Sequence, residues 1–328
     1  MKRIQLHAYA KINLTLDVTG KRPNGYHDVE MIMQQISLCD EVTVSWEAGS
    51  VGRGKPGQTA EPDPTGIQIQ LTVSRSDLPA DSSNLAWKAA EEMIAEFGGP
   101  ADGSSKAAAG TDAAGGVLTI DIQKQIPMAA GLAGGSSNCA AVLHAINQLW
   151  ELNLSVKELC RIGARLGSDV PFCIMGQAAA EKALQGSFAD DPDACHCALA
   201  TGTGTDLKPL TGLDSFIVLS KPAIGVSTAE VYRGIDNEGI PRHPDNNAVI
   251  SAICENNYKV LEEKMVNVLE NFALKRYPII VYTKNIMSDL CQSAGIPNCV
   301  MMSGSGPTVF GLFEDHKTAQ SAYDKLKK

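Results

Sequence analysis

The sequence predicts an α+β fold with mixed or antiparallel sheets and helices packed on them. Residues 117–122 alternate between apolar and polar side chains, which is typical of a strand. Residues 139–150 carry an apolar stripe with helical period instead. Strands and helices are mixed along the chain, and no internal repeat is visible. This mixture of elements favours the α+β class, with helices on one side of each sheet.

The first predicted element is a strand over residues 8–16. Side chains alternate along a strand, so Lys11 and Asn13 share one face while Ile12 and Leu14 share the other. A lysine within an apolar strand costs desolvation unless it has a partner, so Lys11 is a candidate for catalysis or anion binding. A lysine that protects an edge strand remains the alternative.

A turn follows at residues 22–25, where Arg-Pro-Asn-Gly is strong turn chemistry. Tyr26 and His27 come directly after it. An aromatic ring and a hydrogen-bonding ring on a loop suit recognition of a planar base. A hairpin turn with an incidental tyrosine is the alternative.

The next predicted element is an amphipathic helix over residues 83–97, capped by Asp81 or Ser82. Two low-complexity segments lie on either side of this helix. Residues 48–66 are rich in Gly, Pro, Thr and Glu, and residues 98–116 are rich in Gly, Ala and Ser. Neither segment shows apolar periodicity, so both are predicted to be inserted, exposed loops without chemistry of their own.

A glycine-rich loop over residues 127–138 joins the strand at 117–122 to the helix at 139–150. Glycine lets the backbone approach a ligand closely, and a helix start offers free N–H groups to an anion. The loop therefore predicts a phosphate cradle. No lysine follows Gly135 as a Walker loop requires, and the glycines at 131, 134 and 135 do not fit the dinucleotide spacing.

A second helix is predicted over residues 155–166, with Ser155 and Glu158 as a capping box, and it stops at Gly167. Asp169 follows on the turn before a short apolar stretch. Its carboxylate could accept a proton from a substrate hydroxyl, or it could cap a helix.

The composition changes between residues 176 and 197, so the sequence predicts an N-terminal domain at 1–178 and a C-terminal domain at 179–328. The second part is predicted to contain strands at 215–219 and 278–282 and a helix at 257–272. Residues 300–313 are predicted to form a strand, a second glycine loop and a strand. That loop consists of Ser303, Gly304, Ser305 and Gly306.

The overall composition bounds the class of protein. The formal net charge of −9 argues against nonspecific nucleic-acid binding. No apolar run approaches the roughly 20 residues that span a bilayer, and the N-terminus lacks the hydrophobic core of a signal peptide. We therefore expect a cytoplasmic protein without a nucleic-acid or membrane partner.

The glycine loop, with Pro127 four residues before Gly131, resembles the phosphate loop of the GHMP kinases, which include galactokinase, homoserine kinase and mevalonate kinase. The runs at 8–16, 127–138 and 300–313 occur in the order of that family's three motifs. Residues 10–14 and 22–27 resemble the member that phosphorylates a cytidine diphosphate-linked methylerythritol in the non-mevalonate isoprenoid pathway. The resemblance implies a two-domain GHMP kinase fold that uses ATP and Mg²⁺.

The same resemblance implies roles for individual residues. Asp169 would be the base near the substrate's 2-hydroxyl, and Lys11 would polarise that hydroxyl and hold Asp169 ionised. Asn13 would hold the methylerythritol part. Tyr26 and Tyr232 would sandwich the cytosine while His27 reads its edge; these base contacts belong to the segments 22–27 and 225–232.

For ATP, the resemblance implies that the glycine loop binds the phosphates and that two further residues lie near the nucleotide. The implied residues are Asn84, Lys124, Pro127, Gly131, Leu132, Gly134, Gly135, Ser136 and Ser137. No glutamate clearly matches the family's metal-binding glutamate, so Mg²⁺ is expected to be held mainly through ATP and water.

Two other functions remain open at this point. One is a different GHMP kinase of the homoserine or mevalonate type, which would not need the Tyr26–His27 pair. The other is a non-catalytic ligand sensor with this fold, which would not need Lys11 and Asp169. The sequence does not distinguish a monomer from a homodimer.

Overall fold

A computed structural model describes residues 1–49, 66–100 and 115–327. The predicted insertions at 48–66 and 98–116 lie almost entirely outside these residues. The described chain forms two compact units, which are discontinuous in sequence. Unit 1 contains residues 1–9, 37–126 and 134–194, and unit 2 contains residues 10–36, 127–133 and 195–328. The sequence predicts one boundary, between residues 178 and 179, whereas each unit is made of several segments. This domain boundary stays a prediction.

Two long strands, β1 (Lys2–Lys21) and β2 (His27–Ala48), pair with each other and contribute residues to both units. Along both strands, apolar or β-branched residues recur at about every second position, which suits an extended strand. In β1, residues 10–17 are buried on both faces, which explains why polar side chains there require partners.

Unit 1 combines a mixed sheet with a layer of helices. The C-terminal part of β2 pairs antiparallel with β4 (Gly116–Gln123), which in turn pairs parallel with β3 (Ile67–Val73). The helices α1 (Leu85–Phe97), α2 (Gly134–Leu149), α3 (Val156–Leu166) and α4 (Val170–Ala180) pack against one another, and α5 (Gln185–Phe188) follows α4. Helix α2 is buried almost all round, because the other helices surround it.

Unit 2 contains two antiparallel arrangements. The N-terminal part of β2 pairs with β5 (Cys197–Thr201), and β5 pairs with β6 (Asp206–Leu210). A second sheet has the order β7 (Phe216–Ser220), β9 (Val309–Phe313), β8 (Val300–Met302). The helices of this unit are α6 (Thr228–Glu238), α7 (Asn246–Cys254), α8 (Tyr258–Lys264), α9 (Glu270–Arg276), α10 (Pro278–Ala294) and α11 (His316–Leu326).

Helices α10 and α11 pack on the second sheet, so the predicted α+β class is confirmed. The strands predicted at 8–16, 117–122 and 215–219, the strand pair at 300–313, and the helices at 83–97, 139–150 and 155–166 are confirmed within a few residues. The capping box of Ser155 and Glu158 is also present. No helix within residues 1–49, 66–100 and 115–327 combines the length and apolar character needed to cross a membrane.

Three local predictions are wrong. Residues 278–282 are not a strand but the first turns of α10, where Pro278 occupies the start of the helix, a position that suits proline. The helix predicted at 257–272 is interrupted between α8 and α9, because Val266 and Val268 form backbone hydrogen bonds with Leu16 of β1. The cap of α1 is Asn84, not Asp81 or Ser82.

Candidate active site

In unit 2, strand β1 presents Lys11 and Asn13 on one face, as the alternation predicts. The Lys11 ammonium donates a hydrogen bond of 2.8 Å to Asn13 Oδ1, and Asn13 Nδ2 lies 3.2 Å from the sulfur of Met31. Lys11 is only 4% exposed and Asn13 is fully buried. A lysine so deeply buried is not a solvated edge residue, which removes the alternative of an aggregation-blocking lysine.

The first part of the glycine loop, residues 127–133, also belongs to unit 2 and has an unusual backbone. Ala129, Gly131 and Ala133 have positive φ angles of 45°, 74° and 57°. Alanine tolerates this conformation poorly, so the surrounding structure has to impose it. Backbone held in such a conformation is concentrated at ligand sites, which agrees with a phosphate cradle.

The second glycine loop holds the first one in place. The Ser303 hydroxyl donates a 2.9 Å hydrogen bond to the carbonyl of Gly131, and the Thr308 N–H donates to Ala130. A Cβ atom at residue 131 would collide with the carbonyl oxygen of Ser303, so glycine is required there by close approach as well as by its φ angle. The Lys11 N–H bonds the Leu132 carbonyl at 3.2 Å, which ties the loop to β1.

Within the second loop, other side chains fix the backbone. Ser305 Oγ lies 2.8 Å from the Thr228 hydroxyl at the start of α6. Asn267 donates to the carbonyls of Met302 and Gly304, at 2.8 Å each. These bonds order the Ser303–Gly306 turn, which the Ser303 hydroxyl holds against residues 127–133.

Two of the three predicted base-binding residues, His27 and Tyr232, lie in contact in unit 2. His27 Nε2 lies 2.7 Å from an oxygen of Asp236, and its ring lies 5.2 Å from the ring of Tyr232 with a tilt of 37°. The Lys21 ammonium also donates to Asp236, at 2.6 Å. These hydrogen bonds, from Lys21 first and His27 second, hold the pKa of Asp236 below its ordinary value. No sequence motif singles out Asp236.

Tyr26 lies at the end of the predicted turn and is 62% exposed. The turn is real: the N–H of Arg22 bonds the Tyr26 carbonyl at 2.7 Å, and Asn24 Oδ1 accepts from the Tyr26 N–H at 3.1 Å. A tyrosine ring exposed to this extent next to ordered backbone can stack on a ligand. His27, in contrast, has a side chain that is only 7% exposed.

In unit 1, the second part of the glycine loop begins helix α2 at Gly134. Backbone N–H groups of a first helical turn have no partner within the helix, so they can bind an anion. Ser137 is fully buried, and its hydroxyl donates to the carbonyl of Tyr9 at 2.5 Å. Ser136, one position earlier, is only half-buried. A Cβ atom at Gly135 would lie 3.7 Å from Leu85 Cδ1, so the start of α1 lies beside the start of α2.

Asn84 precedes Leu85 and therefore lies close to the glycine loop. Its Oδ1 accepts from the Ala86 N–H at 3.0 Å, and its Nδ2 donates to the Pro79 carbonyl at 2.8 Å. Asn84 is thus the N-cap of α1, and its predicted contact with the nucleotide stays a prediction.

Lys124 lies at the end of β4, and its side chain is 5% exposed. Its ammonium donates to Asp40 and, at 2.9 Å, to Asn138 Oδ1. A Cβ atom at Gly134 would lie 3.3 Å from this ammonium, so Lys124 borders the glycine loop. Sequence reasoning missed Asp40, although an aspartate within the apolar strand β2 is a signal of the same kind as Lys11.

Asp169 occupies the N-cap position of α4, but its side chain makes no capping hydrogen bond. The capping function that the sequence left open is therefore not the role of its carboxylate. The turn is closed by backbone bonds instead, with the Cys173 N–H donating to the Asp169 carbonyl at 3.1 Å.

Comparisons with known proteins agree with this arrangement. The family model "GHMP kinases N terminal domain" matches residues 84–177, which include the glycine loop and Asp169. The family model "GHMP kinases C terminal" matches residues 249–328, which include the second glycine loop. Together the fold and these matches define a GHMP kinase, a class of ATP-dependent small-molecule kinases.

Relatives that match almost the whole chain define its family more closely. The 4-diphosphocytidyl-2-C-methyl-D-erythritol kinases of Alkaliphilus metalliredigens (strain QYMF) and Alkaliphilus oremlandii (strain OhILAs) are each 40% identical over 99% of this chain and 93% of their own length. The chain belongs to this family of 4-diphosphocytidyl-2-C-methyl-D-erythritol kinases. A crystal structure of a 4-(cytidine 5'-diphospho)-2C-methyl-D-erythritol kinase is also similar, at 28% identity and a TM-score of 0.68, covering 99% of this chain and 95% of the other.

These relatives confirm the resemblance seen in the sequence. They do not favour a homoserine- or mevalonate-type kinase, or a ligand sensor.

Proposed function

We propose that this protein transfers the γ-phosphoryl group of ATP to the 2-hydroxyl of 4-diphosphocytidyl-2-C-methyl-D-erythritol. The observation that carries this proposal is the contact of His27 with Tyr232 and Asp236, next in sequence to the exposed ring of Tyr26. A small alcohol without a base would not need it, whereas a cytidine offers one ring to stack on and one polar edge to read. The names of the relatives point to the same acceptor.

In the proposed reaction, Asp169 is the general base. Its carboxylate accepts the proton of the 2-hydroxyl as the oxygen attacks the γ-phosphorus, and the P–O bond to ADP breaks. The Lys11 ammonium, buried on β1, polarises the hydroxyl and offsets negative charge. Asn13, which accepts a hydrogen bond from Lys11, fixes that ammonium and holds the methylerythritol part. Such transfers depend mainly on alignment and charge stabilisation.

ATP phosphates would be bound by the backbone N–H groups of the glycine loop and the start of α2. The fit is supported by the glycine required at residue 131 and by the positive φ angles on either side of it. Across residues 1–49, 66–100 and 115–327, no group of three or more His, Cys, Asp or Glu side chains is arranged for a metal ion. Mg²⁺, which would neutralise phosphate charge, is therefore proposed to be held through ATP and water.

The proposal is tested by measuring ADP release with Mg-ATP and 4-diphosphocytidyl-2-C-methyl-D-erythritol, with homoserine and mevalonate in parallel. We expect turnover with the cytidine compound alone, and a product phosphorylated at the 2-hydroxyl by ³¹P NMR. Turnover with homoserine or mevalonate instead would overturn the proposed acceptor while keeping the kinase class.

The proposed stacking of Tyr26 on the base can be tested with a matched control. Tyr26→Ala should raise KM for the cytidine acceptor about tenfold, since base–aromatic stacking contributes about 1–3 kcal/mol. Tyr282→Ala is the control, because Tyr282 is exposed to a similar extent, 63% against 62%, on α10. An unchanged KM in the Tyr26 variant would remove the stacking role.

A further inference from the structure

Asp40 is a fully buried carboxylate on β2, in the part of that strand that belongs to unit 1. Its Oδ1 accepts from the N–H groups of Gln125 and Ile126, at 2.6 and 2.8 Å. Its Oδ2 accepts from the Lys124 ammonium and, at 2.8 Å, from Asn138 Nδ2. A carboxylate has about four lone-pair positions, so every acceptor position of Asp40 is used.

The four donors belong to the two segments that border the phosphate cradle. Lys124, Gln125 and Ile126 form the turn between β4 and the loop, and Asn138 lies in the first turns of α2. Asn138 also accepts from Lys124, which closes a triangle of three side chains. Asp40 therefore connects the segment that precedes the glycine loop to the helix that follows it.

Lys124 is the member of this triangle that can reach a ligand. An ammonium has three N–H donors, and two of them bond Asp40 and Asn138. In the part of the chain that the structure describes, no third hydrogen-bond partner of this ammonium is found. The nearest loop position is Gly134, where an added Cβ would lie 3.3 Å from the nitrogen.

We propose that Asp40 is a positioning residue for ATP: it orients Lys124 so that the third N–H of the ammonium donates to a phosphate oxygen at the Gly134 loop. This inference rests on the ATP binding in the proposed function and adds a residue that acts through Lys124. The carboxylate also keeps the site close to neutral in the absence of nucleotide, since a buried unpaired ammonium is costly.

An amide cannot replace this carboxylate. Asparagine has one acceptor oxygen and one NH₂ group, so Asp40→Asn would place N–H donors against either the Gln125–Ile126 backbone or the Lys124–Asn138 pair. In both orientations the ammonium loses its charged partner. The shape of the side chain is kept, which separates the loss of the interaction from the loss of volume.

The test measures the Kd of ATP by calorimetry, without acceptor. Asp40→Asn should weaken ATP binding about tenfold or more, because orientation of a charge-assisted hydrogen bond is lost. The control is Asp191→Asn: Asp191 also accepts two backbone N–H groups in unit 1, from Val156 and Asp193, but at the start of α3. We expect the control to change the Kd less than about twofold.

A double-mutant cycle separates positioning from general support of the fold. In a Lys124→Met background, Asp40→Asn should change the Kd of ATP less than about twofold, because the residue it acts through is gone. Equal effects of Asp40→Asn in both backgrounds would overturn the proposal, and so would a wild-type Kd in the single variant.

If Asp40→Asn is not recovered as folded protein, Asn138→Ala tests the triangle from α2. It leaves the ion pair of Asp40 and Lys124 and should still weaken ATP binding about threefold or more; an unchanged Kd overturns the proposal. The binding assay contains no acceptor. A wild-type protein that binds ATP but does not phosphorylate the cytidine compound would refute the proposed function alone.

Discussion

We predict that the buried side chain of His144 lowers the stability of this protein in acid. It lies in the middle of α2, fully buried, with its ring edge-on to Phe188 at 5.3 Å. Nε2 lies 3.0 Å from the carbonyl of Ile174, so this nitrogen carries the proton of the neutral ring. Nδ1 has no hydrogen-bond partner among the described residues. Protonation of Nδ1 would place a positive charge in the helix layer of unit 1. Among the described residues, no acceptor is available for the new N–H group.

Burial lowers the pKa of His144 from 6.5 to about 4. At about 1.4 kcal/mol for each pKa unit, this difference corresponds to about 3 kcal/mol. Above the unfolded pKa neither state binds the proton, and the stability is complete. Between 6.5 and about 4 only the unfolded state binds it, so stability is lost as the pH falls through this window. Below about 4 both states are protonated and this contribution is constant.

The assay is urea unfolding at a series of pH values between about 4 and 7. His144→Gln keeps an N–H donor for Ile174 but cannot be protonated, so its free energy of unfolding should fall less on acidification, by about 3 kcal/mol over the window. His316→Gln, at the exposed first residue of α11, is the control and should follow the wild type. Parallel pH curves for the wild type and His144→Gln would refute the reasoning, since carboxylates alone would then cause the acid sensitivity.

Three further predictions concern the proposed reaction. Asp169→Asn should lower kcat by about a hundredfold or more, as expected for loss of a general base, with ATP still bound; a nearly normal kcat in a steady-state assay would remove Asp169 from the mechanism. Gly134→Val should abolish ATP binding by calorimetry, because even a Cβ would lie 2.9 Å from Ile126, whereas Gly186→Val, with open space around it, should bind normally. Equal ATP affinity in these two variants would mean that the nucleotide binds elsewhere. Asp236→Asn should raise KM for the cytidine acceptor severalfold without changing KM for ATP, since His27 loses its anchor; a parallel rise in both constants would contradict a role limited to the base.

The motifs of the site could be predicted because they are local. Strand, glycine loop and helix follow one another directly at residues 117–150, and the alternation in β1 places Lys11 beside Asn13 without any tertiary information. The partners of these residues could not be found in this way. Asp40 is 84 residues from Lys124 in sequence, and Asp236 is 209 residues from His27. Nothing local distinguishes Asp236 from a surface carboxylate. The position of Asp40 within β2 signals the need for a partner, but it does not identify Lys124.

The errors in secondary structure have related causes. The run at 278–282 is rich in β-branched residues, and five residues cannot distinguish a buried strand from the start of a helix. The longer pattern decides: Ile280, Thr283, Met287 and Cys291 are the buried residues and recur every three or four positions. The helix predicted at 257–272 fails for the opposite reason, because the backbone pairing with Leu16 outweighs helical propensity in the segment between α8 and α9.

The bond from Ser303 to Gly131 spans 172 positions of the chain, and it orders events during synthesis. A ribosome completes the glycine loop early, yet the loop lacks the hydroxyl that fixes its strained backbone until residue 303 has emerged. A nascent chain ending at residue 194 would include all of unit 1 but none of the second glycine loop. The proposed nucleotide site is therefore completed only after residue 303 has been made, well after the residues of unit 1.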